Sequence, residues 1–185
     1  MRIIGGVAKG RHICLPKGNQ IRPTPDGIKE SLFNILHSLE GITFIDLFAG
    51  SGNVGLEALS RGASRVVFVE KSTVMITAIK RNLRELGFDN KYEIIAAEVA
   101  KCMRKLNKRK EYFDILFADP PYEKGFVSEI FQCLGDGEII SREGIVIIQH
   151  SLREDVDEQH TANFTLTEQR RYGDTLLSFL KKDRA

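Results

Sequence analysis

The most informative part of the sequence is the stretch Phe44-Ile45-Asp46-Leu47-Phe48-Ala49-Gly50-Ser51-Gly52, which continues as Asn53-Val54-Gly55-Leu56-Glu57-Ala58-Leu59. It predicts a buried strand, a glycine-rich turn and the first turns of a helix. Gly50 and Gly52 have no Cβ, so the backbone there can turn sharply and a ligand can approach it closely. The helix would begin with backbone N–H groups that lack partners within the helix, and these groups favour a polar ligand in the turn.

A second strand that ends in an acidic residue follows the glycine turn at the spacing found in nucleotide-binding βαβ units. The strand Val66-Val67-Phe68-Val69-Glu70 ends about 20 residues after the glycines, where a carboxylate in a βαβ unit can reach ribose hydroxyls. Glycine-rich turns also occur without any ligand, so the turn alone is weak evidence. Together with Glu70 it predicts a nucleoside-binding crossover.

The rest of the chain alternates strands and helices and then changes character. Residues 1–24 predict short strands and turns, and Thr24-Pro25 predicts the start of a helix that runs through Ser38 and is ended by Gly41. The other predicted elements are strands 65–70, 92–97, 112–118, 144–149, 164–171 and 175–181, and a helix near Val127. A further helix is predicted to be capped by Ser72 and ended by Gly87, with Ile76, Ile79, Leu83 and Leu86 forming one apolar stripe. Right-handed crossovers followed by a terminal hairpin predict an α/β fold with a seven-stranded mixed sheet and helices on both faces.

Bulk composition indicates a globular protein with an uneven charge distribution. The 185 residues are 42% apolar and 28% charged, and no apolar run approaches the roughly 18 residues that span a bilayer. The three cysteines are scattered without metal-ligand spacing, so we expect a cytoplasmic protein without disulfides or metal. Residues 1–22 contain five Lys or Arg and no acidic residue, which favours a nucleic-acid partner. A second basic run, residues 101–110, is more typical of a solvated surface.

The sharpest chemical motif is Asp119-Pro120-Pro121-Tyr122, which follows an apolar strand. Two prolines fix the backbone and remove two N–H donors, so the loop offers only acceptors. With the Asp119 carboxylate this set suits a group with two N–H donors, such as the exocyclic amine of a base. Tyr122 could supply a face on which the base stacks. A structural turn in which Asp119 caps the next helix is the plainer alternative.

With these motifs in place, the chain resembles a class I S-adenosylmethionine-dependent methyltransferase. It is most similar to the RsmD-type family, which methylates guanine N2 in 16S rRNA of the small ribosomal subunit. The resemblance covers nearly the whole chain. It rests on Arg22-Pro-Thr, Glu30-Ser-Leu-Phe-Asn, Asp46-Leu-Phe-Ala-Gly-Ser-Gly, Gly55-Leu-Glu-Ala-Leu-Ser-Arg, Glu70, Asp119-Pro-Pro-Tyr and Tyr172-Gly-Asp-Thr.

The resemblance implies a Rossmann-like fold with a small N-terminal β-hairpin and helix extension. Residues 1–40 would be an RNA-contacting extension, and residues 41–185 the methyltransferase domain. S-adenosylmethionine would be the cofactor, 16S rRNA in an assembling small subunit the partner, and the protein a monomer without metal or membrane contact.

The resemblance also implies roles for individual residues. Glu70 would accept from both ribose hydroxyls, Glu98 and Val99 would border the adenine, and Tyr122 would stack on a flipped guanine. The implied cofactor-binding residues are Asp46, Phe48, Ala49, Gly50, Ser51, Gly52, Glu70, Lys71, Glu98 and Val99. The implied catalytic residues are Asp119, Pro120, Pro121 and Tyr122, and the RNA-binding residues are Arg2, Lys9, Arg11 and Arg22.

The chain departs from the family pattern at three places. Glu98 stands where the family usually has Asp, Pro25 where many relatives have a small hydroxyl residue, and Gln149-His150 where relatives commonly have Glu. His150 after an apolar strand is more often structural than a general base. Cys133, which no proline precedes, resembles a core thiol and not the nucleophile of a cytosine-carbon methylase.

Three alternatives remain open. Another amino methylase, acting on adenine N6 or a protein glutamine, would usually carry Asn in place of Asp119. A nicotinamide-dependent dehydrogenase would share the glycine turn and Glu70, but Ala49–Gly52 lacks the spaced third glycine and Asp-Pro-Pro-Tyr would have no use. A non-catalytic RNA-binding assembly factor would be indicated if S-adenosylmethionine did not stabilise the protein.

Overall fold

The computed structural model describes residues 1–16, 26–156 and 163–183. Its helices are α1 (Asp26–Leu36), α2 (Asn53–Ser60), α3 (Thr73–Leu86), α4 (Val99–Lys108) and α5 (Phe126–Gly135). Its strands are β1 (Thr43–Leu47), β2 (Arg65–Glu70), β3 (Tyr92–Ala96), β4 (Phe113–Ala118), β5 (Ile140–Ser151), β6 (Phe164–Tyr172) and β7 (Thr175–Lys182).

The strands form the predicted seven-stranded mixed sheet, in the order β3-β2-β1-β4-β5-β7-β6. The pairs β1–β2, β2–β3 and β4–β5 are parallel, and β7 pairs antiparallel with both β5 and β6. The terminal hairpin closes tightly at Gly173, whose φ of 61° lies in the left-handed region that glycine tolerates. The predicted change from parallel strands to a C-terminal hairpin is confirmed.

The chain packs as two compact units, Met1–Ala96 and Ala97–Ala185. In the first unit, β1 and β2 are buried along nearly their whole length, as expected for parallel strands. The helix α3 presents its predicted apolar stripe to the interior, with Ile76, Ile79, Leu83 and Leu86 all buried. It has the two predicted ends: Ser72 accepts a hydrogen bond from the Met75 N–H, and Gly87 adopts the left-handed conformation.

Residues 1–16, called the N-terminal segment below, pack against α2 within the first unit. The backbone N–H groups of Ile4 and Val7 donate to the Glu57 carboxylate and the Ser60 carbonyl, both at 2.8 Å. Every residue of α2 is buried. The short strands predicted for this part of the chain are reduced to an antiparallel bridge between Arg2 and His12. The predicted boundary after residue 40 stays a prediction.

The helix α1 ends at Leu36, two residues before the predicted end at Ser38. His37 has a φ of 56°, a left-handed conformation that an α-helix cannot continue through. Gly41 is therefore not the residue that stops the helix, and that expectation is wrong. The predicted cap at Thr24-Pro25 lies outside the described residues.

The second unit is built on β4, β5 and the β6–β7 hairpin. The strand β5 extends from Ile140 to Ser151, well beyond the predicted 144–149. The basic run that begins at Lys101 forms the amphipathic helix α4, with Cys102, Met103 and Leu106 buried and Lys101 and Lys105 exposed. This arrangement is that of a solvated helix face, as expected for the run. No helix in the described part of the chain is both long and apolar enough to cross a membrane.

Candidate functional site

The glycine turn of the first unit has the backbone that its sequence predicts. Phe48, Gly50 and Gly52 have φ values of 59°, 54° and 83°, and the Gly52 N–H donates to the Ala49 carbonyl at 2.7 Å. Among the described residues, a Cβ placed on Gly50 would meet only the Phe48 carbonyl oxygen, at 3.9 Å. The space beside Gly50 is therefore open, which suits a ligand that approaches the backbone.

Both carboxylate oxygens of Glu70 accept backbone hydrogen bonds, and one of these bonds comes from the glycine turn. The Gly50 N–H donates to Oε2 at 2.8 Å, and the Ser72 N–H donates to Oε1 at 2.7 Å. Two backbone donors fix the carboxylate, while each oxygen retains capacity for a further bond. A fixed, partly exposed carboxylate beside an open turn fits the ribose hydroxyls of S-adenosylmethionine. Lys71, the next residue, is exposed.

Asp46 contributes to the shape of the turn. Its side chain is 2% exposed, and Oδ2 accepts a hydrogen bond from the Gly55 N–H at 2.9 Å. This bond occupies one of the backbone donors that are left without a helical partner at the start of α2. The implied contact of Asp46 with the cofactor stays a prediction.

Gly55 is a third glycine, and with Gly50 and Gly52 it completes the spacing Gly-x-Gly-x-x-Gly. The expectation that the spaced third glycine of a dehydrogenase is lacking is therefore wrong. A Cβ on Gly55 would lie 2.3 Å from the Phe68 ring, so glycine allows α2 to pack closely on β2. A dehydrogenase would still have no use for the Asp-Pro-Pro-Tyr motif.

Two buried polar residues join the N-terminal segment to the glycine turn, and the sequence reasoning did not find them. Asn82, 1% exposed, accepts from the Cys14 N–H at 2.8 Å and donates to the carbonyls of Cys14 and Ser51 at 3.1 and 3.2 Å. Lys29, fully buried, donates to the Arg2 carbonyl and to Asn53 Oδ1 and pairs with Glu57 at 3.4 Å. The sequence feature that could have indicated these buried contacts is a polar residue on the otherwise apolar face of each helix.

The predicted RNA-binding residues of the described segment are all on the surface. Arg2, Lys9 and Arg11 are exposed, and the Arg11 guanidinium donates to the Glu85 carbonyl at the end of α3. Arg22 lies outside the described residues. Contact with phosphates requires an exposed basic segment, and the RNA-binding role of these residues stays a prediction.

In the second unit, the Asp-Pro-Pro-Tyr motif begins directly after β4. Asp119 is half-buried, Pro120 is buried and Pro121 is exposed. The prolines provide no N–H, so the backbone presents carbonyl oxygens beside the Asp119 carboxylate. This set of acceptors is the one expected to bind an amine.

Tyr122 is half-buried and is held at its hydroxyl. Gln149 Nε2 donates to that oxygen at 3.1 Å, and Thr175 Oγ1 lies 3.3 Å from it. Burial, more than the nearby carboxylates, raises the pKa of Tyr122. The phenol therefore stays protonated and remains a hydrogen-bond donor at neutral pH.

Glu98 and Val99 stand at the start of α4, after β3 has ended. Glu98 is the N-terminal cap residue, and its side chain makes no capping hydrogen bond. Val99 is buried in the first turn of the helix. Their implied contact with adenine stays a prediction.

His150 and Cys133 have structural surroundings. His150 is fully buried; its Nδ1 donates to the Ser151 carbonyl at 2.9 Å, and its Nε2 lies 2.7 Å from the Ser178 hydroxyl. Desolvation lowers the pKa of His150, so the ring is neutral with both nitrogens engaged. Burial raises the pKa of the Cys133 thiol, which disfavours the nucleophilic thiolate. The described residues contain no cluster of three or more side chains that could hold a metal.

Gln149 is the residue whose part in the site the sequence reasoning missed. It was noted only as a departure from the family pattern, yet it bonds Tyr122. The sequence feature that could have indicated this role is an amide side chain at the end of an apolar strand. Gln149 comes one position after Ile148, which pairs with the last residue of β4.

Comparison with known proteins identifies the family. A family model described as "Conserved hypothetical protein 95" matches residues 1–181. A Bacillus subtilis protein named "Putative rRNA methyltransferase YlbH" is 31% identical over 98% of this chain and 99% of its own length. The "Ribosomal RNA small subunit methyltransferase D" of Buchnera aphidicola is 34% identical over 83% of this chain and 80% of its own length.

A solved structure supports the same assignment. The protein described as "Putative methyltransferase yhhF from Escherichia coli" has a TM-score of 0.88 and 27% identity, and the match covers 99% of this chain and 98% of that one. The chain therefore belongs to the conserved hypothetical protein 95 family, the RsmD-type methyltransferase family that its motifs resemble.

Proposed function

We propose that this protein transfers a methyl group from S-adenosylmethionine to the exocyclic N2 amine of a guanine in 16S rRNA. Membership in a family with relatives named as rRNA small-subunit methyltransferases supports the rRNA substrate. The observation that carries the choice of an amine is the acceptor-only loop at Asp119–Pro121, which follows the buried strand β4 directly.

The first unit would hold the cofactor, which supplies an electrophilic methyl group when bound. The open space beside Gly50 and the fixed carboxylate of Glu70 fit its methionine and ribose portions. Asp46 supports the start of α2 beneath them. Lys71, Glu98 and Val99 are further candidates for cofactor contacts.

The second unit would hold the target amine. Guanine N2 is a poor nucleophile because its lone pair is delocalised into the ring. Asp119 and the Pro120 carbonyl would each accept one N–H, which directs the lone pair toward the methyl carbon. As the new N–C bond forms and the S–C bond breaks, one amine proton must leave, and Asp119 or water would take it. Tyr122 would stack on the base.

The N-terminal segment would contribute phosphate contacts through Arg2, Lys9 and Arg11. The three side chains are exposed on a segment without acidic residues. We expect the substrate to be an assembling small subunit in the cytoplasm and the enzyme to act as a monomer.

The experiment is methyl transfer from labelled S-adenosylmethionine to ribosomal particles from a bacterial strain that lacks its own enzyme of this family. We expect label in 16S rRNA of the small subunit, and none in large-subunit particles. Label in 23S rRNA or in ribosomal protein would contradict the proposed substrate. Binding of S-adenosylmethionine without transfer to any particle would instead favour a non-catalytic assembly factor.

A further inference from the structure

The hydroxyl of Tyr122 is held from two strands that lie apart from its own loop. Gln149 is near the end of β5, and its Nε2 donates to the hydroxyl oxygen at 3.1 Å. Thr175 is the first residue of β7, and its Oγ1 lies 3.3 Å from the same oxygen. Because the phenol receives a hydrogen from Gln149, its own hydrogen is available for Thr175. The two bonds approach one atom from neighbouring strands, which fixes the far end of the ring.

Packing alone does not explain a glutamine at position 149. The residue is 4% exposed, and among the described residues its Oε1 has no hydrogen-bond partner. A buried acceptor without a donor is unfavourable, and an apolar side chain of similar length would avoid that cost. The amide does have one bond, the one to Tyr122, and this bond is the feature that an apolar side chain could not supply.

The residue after Tyr122 is fastened to the same strand end. Glu123 has a φ of 59°, a conformation that is unfavourable for a residue with a side chain. Its carboxylate accepts from the Ser151 hydroxyl at 3.1 Å and pairs with Arg153 at 3.4 Å. Two consecutive loop residues are thus bonded to the end of β5, so the loop has a defined position relative to that strand.

We propose that Gln149 and Thr175 clamp the Tyr122 hydroxyl and hold the ring in the orientation in which the target base stacks on it. Gln149 and Thr175 are then positioning residues that act through Tyr122. The proposal rests on the function proposed above, since it takes Tyr122 as the stacking residue. A ring that is fixed before the base arrives loses less rotational freedom on binding, so the clamp strengthens RNA binding.

The test is a double-mutant cycle with near-isosteric variants: Tyr122→Phe, Gln149→Met, Thr175→Val and the double variant Tyr122→Phe/Gln149→Met. Each single variant should raise KM for the small subunit about three- to tenfold, from the ordering cost of one side chain. The affinity for S-adenosylmethionine, measured by calorimetry, should not change. Gln149→Met should add nothing once the hydroxyl is gone. Independent, multiplicative effects of Gln149→Met and Tyr122→Phe would overturn the proposal, as would unchanged KM values in all variants.

Two matched substitutions separate the clamp from a general effect on the hairpin. Thr175→Ser keeps the hydroxyl and should restore most of what Thr175→Val loses. Thr167→Val removes a hydroxyl that bonds the Phe179 carbonyl in the same hairpin, and it should leave KM unchanged. Loss of activity in Thr167→Val equal to that in Thr175→Val would contradict the proposal.

A second readout is independent of methyl transfer. In NMR spectra of protein with labelled tyrosine, Gln149→Met should increase the mobility of the Tyr122 ring, whereas Thr167→Val should not. If the wild-type protein transfers no methyl group, the proposed function fails while this measurement still decides on the clamp. An unchanged Tyr122 ring in Gln149→Met would refute the clamp itself.

Discussion

Asp119 combines two tasks in the proposed reaction, since it accepts one N–H of the amine and can remove the departing proton. Asp119→Ala should lower kcat by roughly 10²- to 10⁴-fold, the usual contribution of a positioned acid or base. The affinity for S-adenosylmethionine, measured by calorimetry, should stay within about twofold of wild type. A matched control is Asp114→Asn in β4, where the carboxylate accepts a hydrogen bond from the Ser141 hydroxyl at 3.0 Å and plays no proposed part in the reaction.

An Asp119→Ala variant that lost cofactor affinity in proportion to kcat would contradict the assignment of Asp119 to the amine. A kcat close to that of wild type would contradict it as well, because the acceptor set would then work without its carboxylate.

His150 makes folding stability depend on pH. Burial lowers its pKa below the ordinary value of 6.5, so the unfolded chain binds a proton more readily than the folded protein. Well above pH 6.5 both states hold a neutral ring, and as pH falls through 6.5 the unfolded chain takes up a proton first, so the free energy of unfolding decreases. We expect the free energy of unfolding to decrease from pH 7.5 to pH 5.5 in urea titrations. This decrease should be smaller in His150→Gln, and equal slopes in the two proteins would show that another group is responsible.

Residues that meet a special local requirement could be predicted from the sequence. Gly50 and Gly52 adopt positive φ, Glu70 lies beside the turn, and the two prolines follow β4. Asn82 and Gln149 could not be predicted, because their partners are 68 and 27 residues away along the chain. A polar residue on an apolar face indicates a buried hydrogen bond, but the local sequence does not identify the residue that forms the other half of it.

At the level of elements, the bounds of a helix can be predicted from the sequence where capping residues stand at its ends. Ser72 and Gly87 cap α3, so its bounds could be predicted. The end of α1 depends on a left-handed backbone at His37, which no glycine or asparagine signals. The helix α4 was not predicted, because its apolar residues are few and lie among many basic ones.

The close packing of α2 on β2 can be tested by adding a side chain at Gly55. A Cβ on Gly55 would lie 2.3 Å from the Phe68 ring, so Gly55→Ala must displace the helix or the ring. We expect a loss of about 1–3 kcal/mol in the free energy of unfolding, the typical cost of overpacking. Because α2 follows the glycine turn directly, the affinity for S-adenosylmethionine should fall too.

Gly27→Ala in α1 is the matched control, since no atom of residues 1–16, 26–156 or 163–183 lies within 4 Å of its added Cβ. Alanine favours the helix by roughly 0.5–1 kcal/mol, so this variant should be as stable as wild type or more so. Equal destabilisation by the two substitutions in urea unfolding would contradict the packing argument.

For the molecule as a whole, the salt dependence of RNA binding tests whether the N-terminal segment contacts phosphates. If Arg2, Lys9 and Arg11 neutralise phosphates, replacing all three with Ala should reduce the slope of log affinity against log salt concentration by about two. The matched control replaces Lys101, Lys105 and Lys108, on the solvated face of α4, and should leave the slope unchanged. Filter binding of small subunits at several salt concentrations measures both. A reversed pattern would move the RNA contact to α4.

The sheet could be predicted almost completely, because alternating strands and helices restrict its topology and the terminal hairpin carries its own turn signal. The packing of the N-terminal segment on α2 could not be predicted. It depends on backbone groups that meet Glu57 and Ser60 more than 50 residues away, and no local pattern records such contacts.

In the proposed reaction the N2 amine of guanine receives the methyl group, and nucleoside analysis tests this directly. Small-subunit particles from a strain without its own enzyme of this family are incubated with the protein and labelled S-adenosylmethionine, and the 16S rRNA is digested to nucleosides. The label should elute as N2-methylguanosine, and Asp119→Ala should slow its incorporation by the same roughly 10²- to 10⁴-fold. Label in N6-methyladenosine, in a ring-carbon methylated base or in a ribose-methylated nucleoside would contradict the proposed reaction.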